Sequence, residues 1–205
     1  MDSSENTRLA VSTFPMELEH AHPLPLQLAS NGVVGMLLFI ATEVMFFAGL
    51  ISAFVVTRAG VVWPPADQPR LPVEATALNT LVLVTSGLVL WNAQRAFIGF
   101  NVERAKKLLN TAIGLGTFFV AFQGYEWIRL LSFGLTVQSS TYGAFFYLIV
   151  GTHALHAVAA LLTLGYCSRR LHHRELTRTV FSATQLFWYF VVLLWPILYV
   201  LVYMV

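Results

Sequence analysis

A chain of 205 residues that is 57% hydrophobic and only 11% charged carries too few charges for a water-facing surface, where about 25% is usual. Its net charge of +2 is too small to point to nucleic acid. A single cysteine, Cys167, excludes an intrachain disulfide.

In chain order, residues 1–31 are polar and mixed, with Glu17, Glu19, His20, His22, Pro23 and Pro25. They lack the basic start and short apolar run of a cleaved secretory signal, so a solvated tail is expected. His20 and His22 are read as part of that tail rather than as metal ligands. Five apolar runs follow, at about 33–57, 75–99, 108–131, 142–167 and 180–204. A helix needs about 20 apolar residues to cross a hydrocarbon core, and each run suffices. The fold class expected is all-α and polytopic, with five transmembrane helices in one domain over residues 32–205 and no separate soluble domain.

The first connection, Arg58 to Glu74, contains Trp63-Pro64-Pro65, Pro69 and Pro72. Proline blocks helix continuation and removes backbone donors, which predicts an extended loop. Asn101–Lys107 and Ser132–Thr141 are short, so helices two and three, and three and four, are expected as antiparallel neighbours. Nine of the twelve basic residues fall on one side: Arg8, Arg95, Arg104, Lys106, Lys107, Arg169, Arg170, Arg174 and Arg178. The excess of lysine and arginine on cytoplasmic loops therefore predicts a cytoplasmic amino terminus and an external carboxyl terminus. His172 and His173 join the fourth, basic connection, expected to face anionic lipid headgroups. Trp63, Trp127, Tyr142 and Tyr203 fall at the outer boundary, as an aromatic belt would place them. Cys167 is read as a plain small residue at a cytoplasmic helix end. The small residues Ala41, Ala48, Gly49 and Ser52 predict close packing of helix one. No internal repeat is visible, and five spans do not divide into the two halves of an inverted-repeat transporter.

Four ionisable residues lie within the spans: Glu43, Glu126, His153 and His156. Charged groups at that depth are costly and face a protein interior or a partner. At a rise of about 1.5 Å per residue, Glu43 and His153 come near the midplane and are expected to meet. Glu126 comes near the outer boundary, flanked by Tyr125 and Trp127, where water or headgroups reach it. His153 and His156 share a helix face. A bis-histidine haem needs ligands from opposite sides, and both histidines project from one helix. A carboxylate-bridged di-iron site needs Glu-x-x-His pairs on two helices, and the sequence has none. Glu43 reads either as a proton relay or ion site, or as a satisfied buried acid. His153 and His156 read either as functional groups or as interhelical hydrogen-bonding groups. Trp188 and Trp195, seven apart in the last span, read as packing residues.

Four segments carry a family resemblance. Phe39 to Gly49, reading FIATEVMFFAG, resembles the "SEVMFFAGLF" helix of subunit III of the haem-copper oxidases, followed by a Trp-Pro-Pro loop like that at Trp63. Gln123-Gly124-Tyr125-Glu126-Trp127 is similar to its "QGYEY" element. Gly151-Thr152-His153-Ala154-Leu155-His156 resembles its "GxHxLH" segment. Phe187 through Trp195 is similar to its "WHFVDVVW". Leu78-Asn79-Thr80 also matches, and the resemblance runs from about residue 32 to the end. The chain departs from the family at Tyr189 and Val192, where histidine and aspartate are usual, so roles assigned to that polar pair do not transfer.

The resemblance implies an accessory subunit with no haem or copper of its own. Those cofactors lie in partner subunits, chiefly subunit I, with subunit II and a subunit IV beside it. It also implies bound phospholipid, support of proton uptake during oxygen reduction, and a place in a bacterial inner membrane as the short, five-helix form. Cytochrome c oxidase of the aa3 or caa3 type is the reading adopted. A quinol oxidase subunit III, a nitric oxide reductase accessory protein, and a small transporter or proton channel are the alternatives.

Overall fold

A computed structural model describes residues 31–59, 73–134, 136–138 and 140–204, and five long helices make up nearly all of these described residues. The tail with His20 and His22 and the loop with Trp63 lie outside the described residues. The helices are α1 Asn31–Ala59, α2 Val73–Ile98, α3 Val102–Ser132, α4 Thr141–His172 and α5 Arg178–Tyr199, closed by a π-helical turn at Val200–Met204. Long helices follow from the apolar runs, because in lipid a helix satisfies every backbone group within its own segment.

The helices outrun the apolar stretches that predict them. α3 starts six residues early because Asn101 caps it, its Oδ1 accepting from the Arg104 amide at 3.1 Å. Such a cap removes one orphan donor of the first turn. Ser140 and Thr177 cap α4 and α5 in the same way. α4 continues to His172, five residues past Cys167, and its last turn holds Arg169 and Arg170, which suit the negative end of a helix dipole. The second connection is therefore a tight turn of Gly99, Phe100 and Asn101, and the fourth is a short one, 173–177, that still carries Arg174 and Glu175. Each contains, two residues past the helix end, a residue in the left-handed region, Phe100 (φ 58) and Arg174 (φ 59). The closing bonds run from Asn101 N to Ala96 O (2.9 Å) and from Glu175 N to Arg170 O (2.9 Å). A non-glycine residue there costs about 1–2 kcal/mol, and the sequence places its glycine one step early, at Gly99.

Side-chain pairs fix the topology. On α2 and α5, Ser86 meets Trp188 while Thr80 meets Trp195, so the two run antiparallel. On α4 and α5, Cys167 meets Thr184, His153 meets Trp195, and Phe146 meets Tyr203, again antiparallel. On α3 and α4, Asn110 meets Ser168 and Trp127 meets Tyr147, as the short connection predicts. α1 lies parallel to α5 through Phe39–Phe187 and Phe47–Phe190. α5 is thus the central helix, touching all four others, and both its tryptophans are fully buried.

α1 sits at the periphery, with only Phe47 and Phe54 buried. Its small residues Ala41, Ala48, Gly49 and Ser52 are exposed, so within this chain they do not form the contact that attaches the helix. The two phenylalanines, large enough to reach across to α4 and α5, make its apolar contacts with the bundle. Tyr142 and Tyr203 differ from expectation: both are buried and point into the bundle. Exposed aromatics under cations stand at both ends: Arg129 lies 6.0 Å from the Tyr125 ring at the outer end, and at the basic end Arg95 covers Trp91 at 4.1 Å, Arg170 covers Tyr166 at 5.3 Å and Arg178 covers Phe100 at 5.6 Å. Large apolar side chains such as Leu38, Met45, Val56, Leu81, Leu155, Leu162 and Leu193 line the outside of the bundle. Patches of that extent mark a surface kept out of water.

Among the described residues, four helices are long and apolar enough to cross a membrane: α1, α2, α4 and α5 with its π turn. The chain is an all-α polytopic membrane protein. α3 differs because its first turns carry Glu103, Arg104, Lys106 and Lys107 and its inner face buries Gln123 and Glu126.

Candidate functional site

Glu43 and His156 form the central polar contact. Oε2 of Glu43 lies 3.0 Å from Nε2 of His156, and both side chains are largely covered. The other ring nitrogen, Nδ1, lies 2.8 Å from the Thr152 carbonyl one turn back on α4. A carbonyl only accepts, so Nδ1 carries a hydrogen; the tautomer follows from the bonding pattern. Nε2 then either accepts from a protonated carboxyl or donates to a carboxylate. In both forms one proton sits between Glu43 and His156, and the pair is neutral as a whole. Phe47, Phe187 and Phe190 surround the imidazole with edge-on rings, which keep the pair dry.

This corrects the expected contact between Glu43 and His153. α1 and α4 run antiparallel, with Phe54 against Phe145 above the pair. Glu43 lies sixteen residues before the end of α1, and His156 lies fifteen after the start of α4. His153, three residues nearer that start, sits about 4.5 Å too far along the axis. It is 1% exposed and turned toward the bundle centre, where its ring lies against Trp195 with centroids 4.9 Å apart. Among the described residues, neither of its nitrogens has a hydrogen-bond partner. His156, expected to pack, is instead the bonded histidine.

Glu126 also departs from expectation. It is 4% exposed, and its carboxylate turns along α3 to the guanidinium of Arg129 at 3.2 Å, a side chain half exposed. An arginine one turn on thus reaches the surface in place of the acid.

In α5 the packing residues take hydrogen bonds as well. Trp188 Nε1 donates to Ser86 Oγ at 3.2 Å, and Trp195 Nε1 donates to Thr80 Oγ1 at 2.9 Å. Buried tryptophan N–H groups need such partners. Tyr189 accepts from the Gln185 amide one turn back, and Val192 packs against Gly87 of α2. The departure from the family pattern therefore leaves a polar pair within α5 at Tyr189 and an apolar contact at Val192. Cys167 is buried, with its thiol on Thr184.

Residues that the charge-based reading missed complete the polar interior: Thr76 and Asn79 on α2, and Gln123 on α3, all buried. Asn79 donates to the Phe119 carbonyl at 3.1 Å, and Gln123 donates to the Tyr203 hydroxyl at 2.9 Å. Their signal in the sequence is a polar face inside an apolar run, with Thr76 and Asn79 one turn apart and Gln123, Glu126 and Trp127 in i, i+3, i+4 spacing. Among the described residues, no three His, Cys, Asp or Glu side chains gather as a metal site. The arrangement holds protons and hydrogen bonds between helices.

The family model of cytochrome c oxidase subunit III matches residues 19–205. A cytochrome c oxidase subunit 3 of the snake Lycodon semicarinatus is 34% identical over 179 residues, covering 82% of this chain and 67% of the relative. The wheat protein of that name, from Triticum aestivum, is 33% identical over 196 residues, or 91% of this chain and 72% of the relative. A probable cytochrome c oxidase subunit 3 of Mycobacterium leprae (strain TN) is 32% identical over 181 residues, or 84% of this chain and 87% of the relative.

Proposed function

The chain belongs to the cytochrome c oxidase subunit III family, and from that premise we propose how it serves a haem-copper oxidase. Its role is accessory and non-catalytic. The observation that carries this reading is the family match over nearly the whole chain. The redox centres, haem and copper, belong to partner subunits, chiefly the catalytic subunit I with subunit II and a subunit IV beside it. The membrane is a bacterial cytoplasmic membrane, a reading supported by the mycobacterial relative.

All five helices span. In support, residues 108–125 of α3 contain no Asp, Glu, Lys or Arg, and its charges fall at the two ends, where headgroups and water meet them. The basic end faces the cytoplasm, which fits the clustering there of Arg95, Arg104, Lys106, Lys107, Arg169, Arg170, Arg174 and Arg178. The amino terminus then lies inside and the carboxyl terminus outside. Phospholipid covers the apolar perimeter.

The Glu43–His156 pair holds α1 on the bundle. α1 buries only two side chains, and lipid supplies no hydrophobic force to press one helix on another. A hydrogen-bonded pair in a dry site supplies the missing specificity. Glu126, His153, Trp188, Tyr189 and Trp195 support the same framework from α3, α4 and α5. The subunit so held stabilises the catalytic subunit and sustains proton uptake during turnover.

The test is purification of the complex carrying Glu43→Ala. The expected result is an unchanged haem spectrum with weaker retention of this chain or earlier loss of activity during turnover. A complex that loses haem overturns the accessory role, and a chain that purifies alone and colourless overturns the oxidase partnership.

A further inference from the structure

Two halves of the bundle treat their buried polar atoms differently. Toward the basic end, each buried polar contact is closed within the protein: Glu43 with His156, Trp188 with Ser86, Cys167 with Thr184, and Gln185 with Tyr189. Toward the opposite end, six buried atoms have no protein partner among the described residues. They are Thr76 Oγ1, Asn79 Oδ1, Gln123 Oε1, Trp127 Nε1 and both ring nitrogens of His153.

These atoms share neighbours. His153 lies on the Trp195 ring. Phe119, whose carbonyl receives the Asn79 amide, meets Trp195 edge-on at 5.1 Å. Tyr203, held to Gln123, stands 6.2 Å from Trp195, and the Thr76 side chain reaches toward its hydroxyl. The π-helical turn that follows α5 carries Tyr203 into this place, and such turns often mark functional positions in helices. Trp127 stands one helical turn beyond Gln123. The Thr76, Asn79, Gln123 and His153 atoms thus gather about the Trp195–Tyr203 pair from α2, α3 and α4. Trp127 joins them at one remove, against Tyr147 beside Phe146, which itself meets Tyr203.

The chemistry of this cluster restricts what completes it. Two amide oxygens can only accept, and an indole N–H can only donate. The neutral imidazole offers one of each, and a threonine hydroxyl does both. A cation would face the N–H groups, and an anion would face the amide oxygens. Only a small molecule that both donates and accepts satisfies the set. Leaving six such atoms dry would cost as much as the net stability of a typical domain. Buried waters make about three hydrogen bonds each to atoms of this kind.

We propose that this end of the bundle is a hydrated chamber, in which internal water bound by Thr76, Asn79, Gln123, Trp127 and His153 surrounds Trp195 and Tyr203. The Glu126–Arg129 pair, one turn from Gln123, continues the polar line to the surface. At its inner limit the chamber reaches His153, one turn from the proton-sharing Glu43–His156 pair. Water therefore penetrates about half the bundle from the Arg129 side. The inference stands on the bundle's own interior and is independent of the partner subunit's identity.

Radiolytic hydroxyl-radical footprinting of the intact purified complex tests it. X-ray pulses generate radicals from bound water inside the protein, and these label the adjoining side chains. Trp188 and Trp195 are equally buried, so Trp188 is an internal control. The expected result is labelling of Trp195 and Tyr203 several-fold faster than Trp188, unchanged by a radical scavenger in the bulk solvent. His153→Phe, which fills space and removes two of the six polar atoms, should lower the Trp195 rate toward that of Trp188. Trp195 and Tyr203 labelled no faster than Trp188 in the native complex would overturn the chamber. Labelling abolished by the bulk scavenger would overturn it equally, since the radicals would then come from outside.

Discussion

Glu43 reaches past His153 to bond His156, Oε2 to Nε2 at 3.0 Å, while Thr152 holds the far side of the imidazole. The contact therefore needs a group that completes a one-proton bridge, and not a charge as such. Glu43→Gln keeps a donor for a bare Nε2, whereas Glu43→Ala leaves that nitrogen unpaired at a cost of about 1–3 kcal/mol. The expected order of thermal stability in the purified complex is wild type and Gln close together, with Ala well below. Equal loss in Gln and Ala would show that the negative charge is what matters.

Gly116 and Gly151 make a second comparison. A Cβ at Gly116 would come 2.6 Å from the Trp188 ring and 2.8 Å from Leu161, whereas at Gly151 the nearest atom is the Trp127 ring at 3.6 Å. Trp188 is fully buried and tied to Ser86, so it cannot swing aside. Gly116→Ala should cost about 1–3 kcal/mol through overpacking. Gly151→Ala should be neutral or stabilising by up to about 1 kcal/mol, because alanine is the better helix former. Thermal melting of the two variants in the assembled complex gives the answer, and equal behaviour would place the α3–α5 contact elsewhere.

The number of helices and their antiparallel neighbours were legible in the sequence because lipid admits few other backbones. Apolar runs and short connections then suffice. Register was not legible. Depth counted from the start of an apolar run errs by the capping residues beyond it: α1 begins at Asn31 rather than Val33, and α3 begins six residues early at Val102. The spacing between His153 and His156 is of that same size, so counting could not choose between them. Direction was lost too, since α1 is apolar on all sides and only the structure shows that Phe47 and Phe54 face inward. At the candidate site, the charged residues drew notice first, while the uncharged Thr76, Asn79 and Gln123 carry much of the buried polarity.

Tyr189 and Gln185 form a pair within α5 where the family has a histidine. Gln185 is 2% exposed, so its amide has no ready substitute partner. Tyr189→Phe should destabilise the subunit by about 1–3 kcal/mol, the cost of an orphaned buried group. Replacing both at once, Gln185→Leu with Tyr189→Phe, should recover much of that loss, since neither partner is then left unpaired. Thermal stability of the complex is the measurement, and a double variant as unstable as the sum of the singles would rule out the pairing.

The two indole bonds to α2 can be weighed by double-mutant cycles. Trp188 donates to Ser86, and Trp195 donates to Thr80, whose own hydroxyl donates to the Thr76 carbonyl. Ser86 likewise donates to Leu83 O. Each hydroxyl is thus fixed by its own helix and presents a lone pair to α5, which prepares it as an acceptor. Trp188→Phe and Ser86→Ala should each cost about 1 kcal/mol or more, with a coupling of about 0.5–1.5 kcal/mol. Trp195→Phe with Thr80→Val should show the same sign. If water fills the space beside Trp195, it offers that N–H a second partner once Thr80 is gone. The Trp195–Thr80 coupling should then be the smaller of the two, measured by thermal or denaturant unfolding of the assembled complex. A larger coupling at Trp195 than at Trp188 would argue that the surroundings of Trp195 are as dry as those of its counterpart.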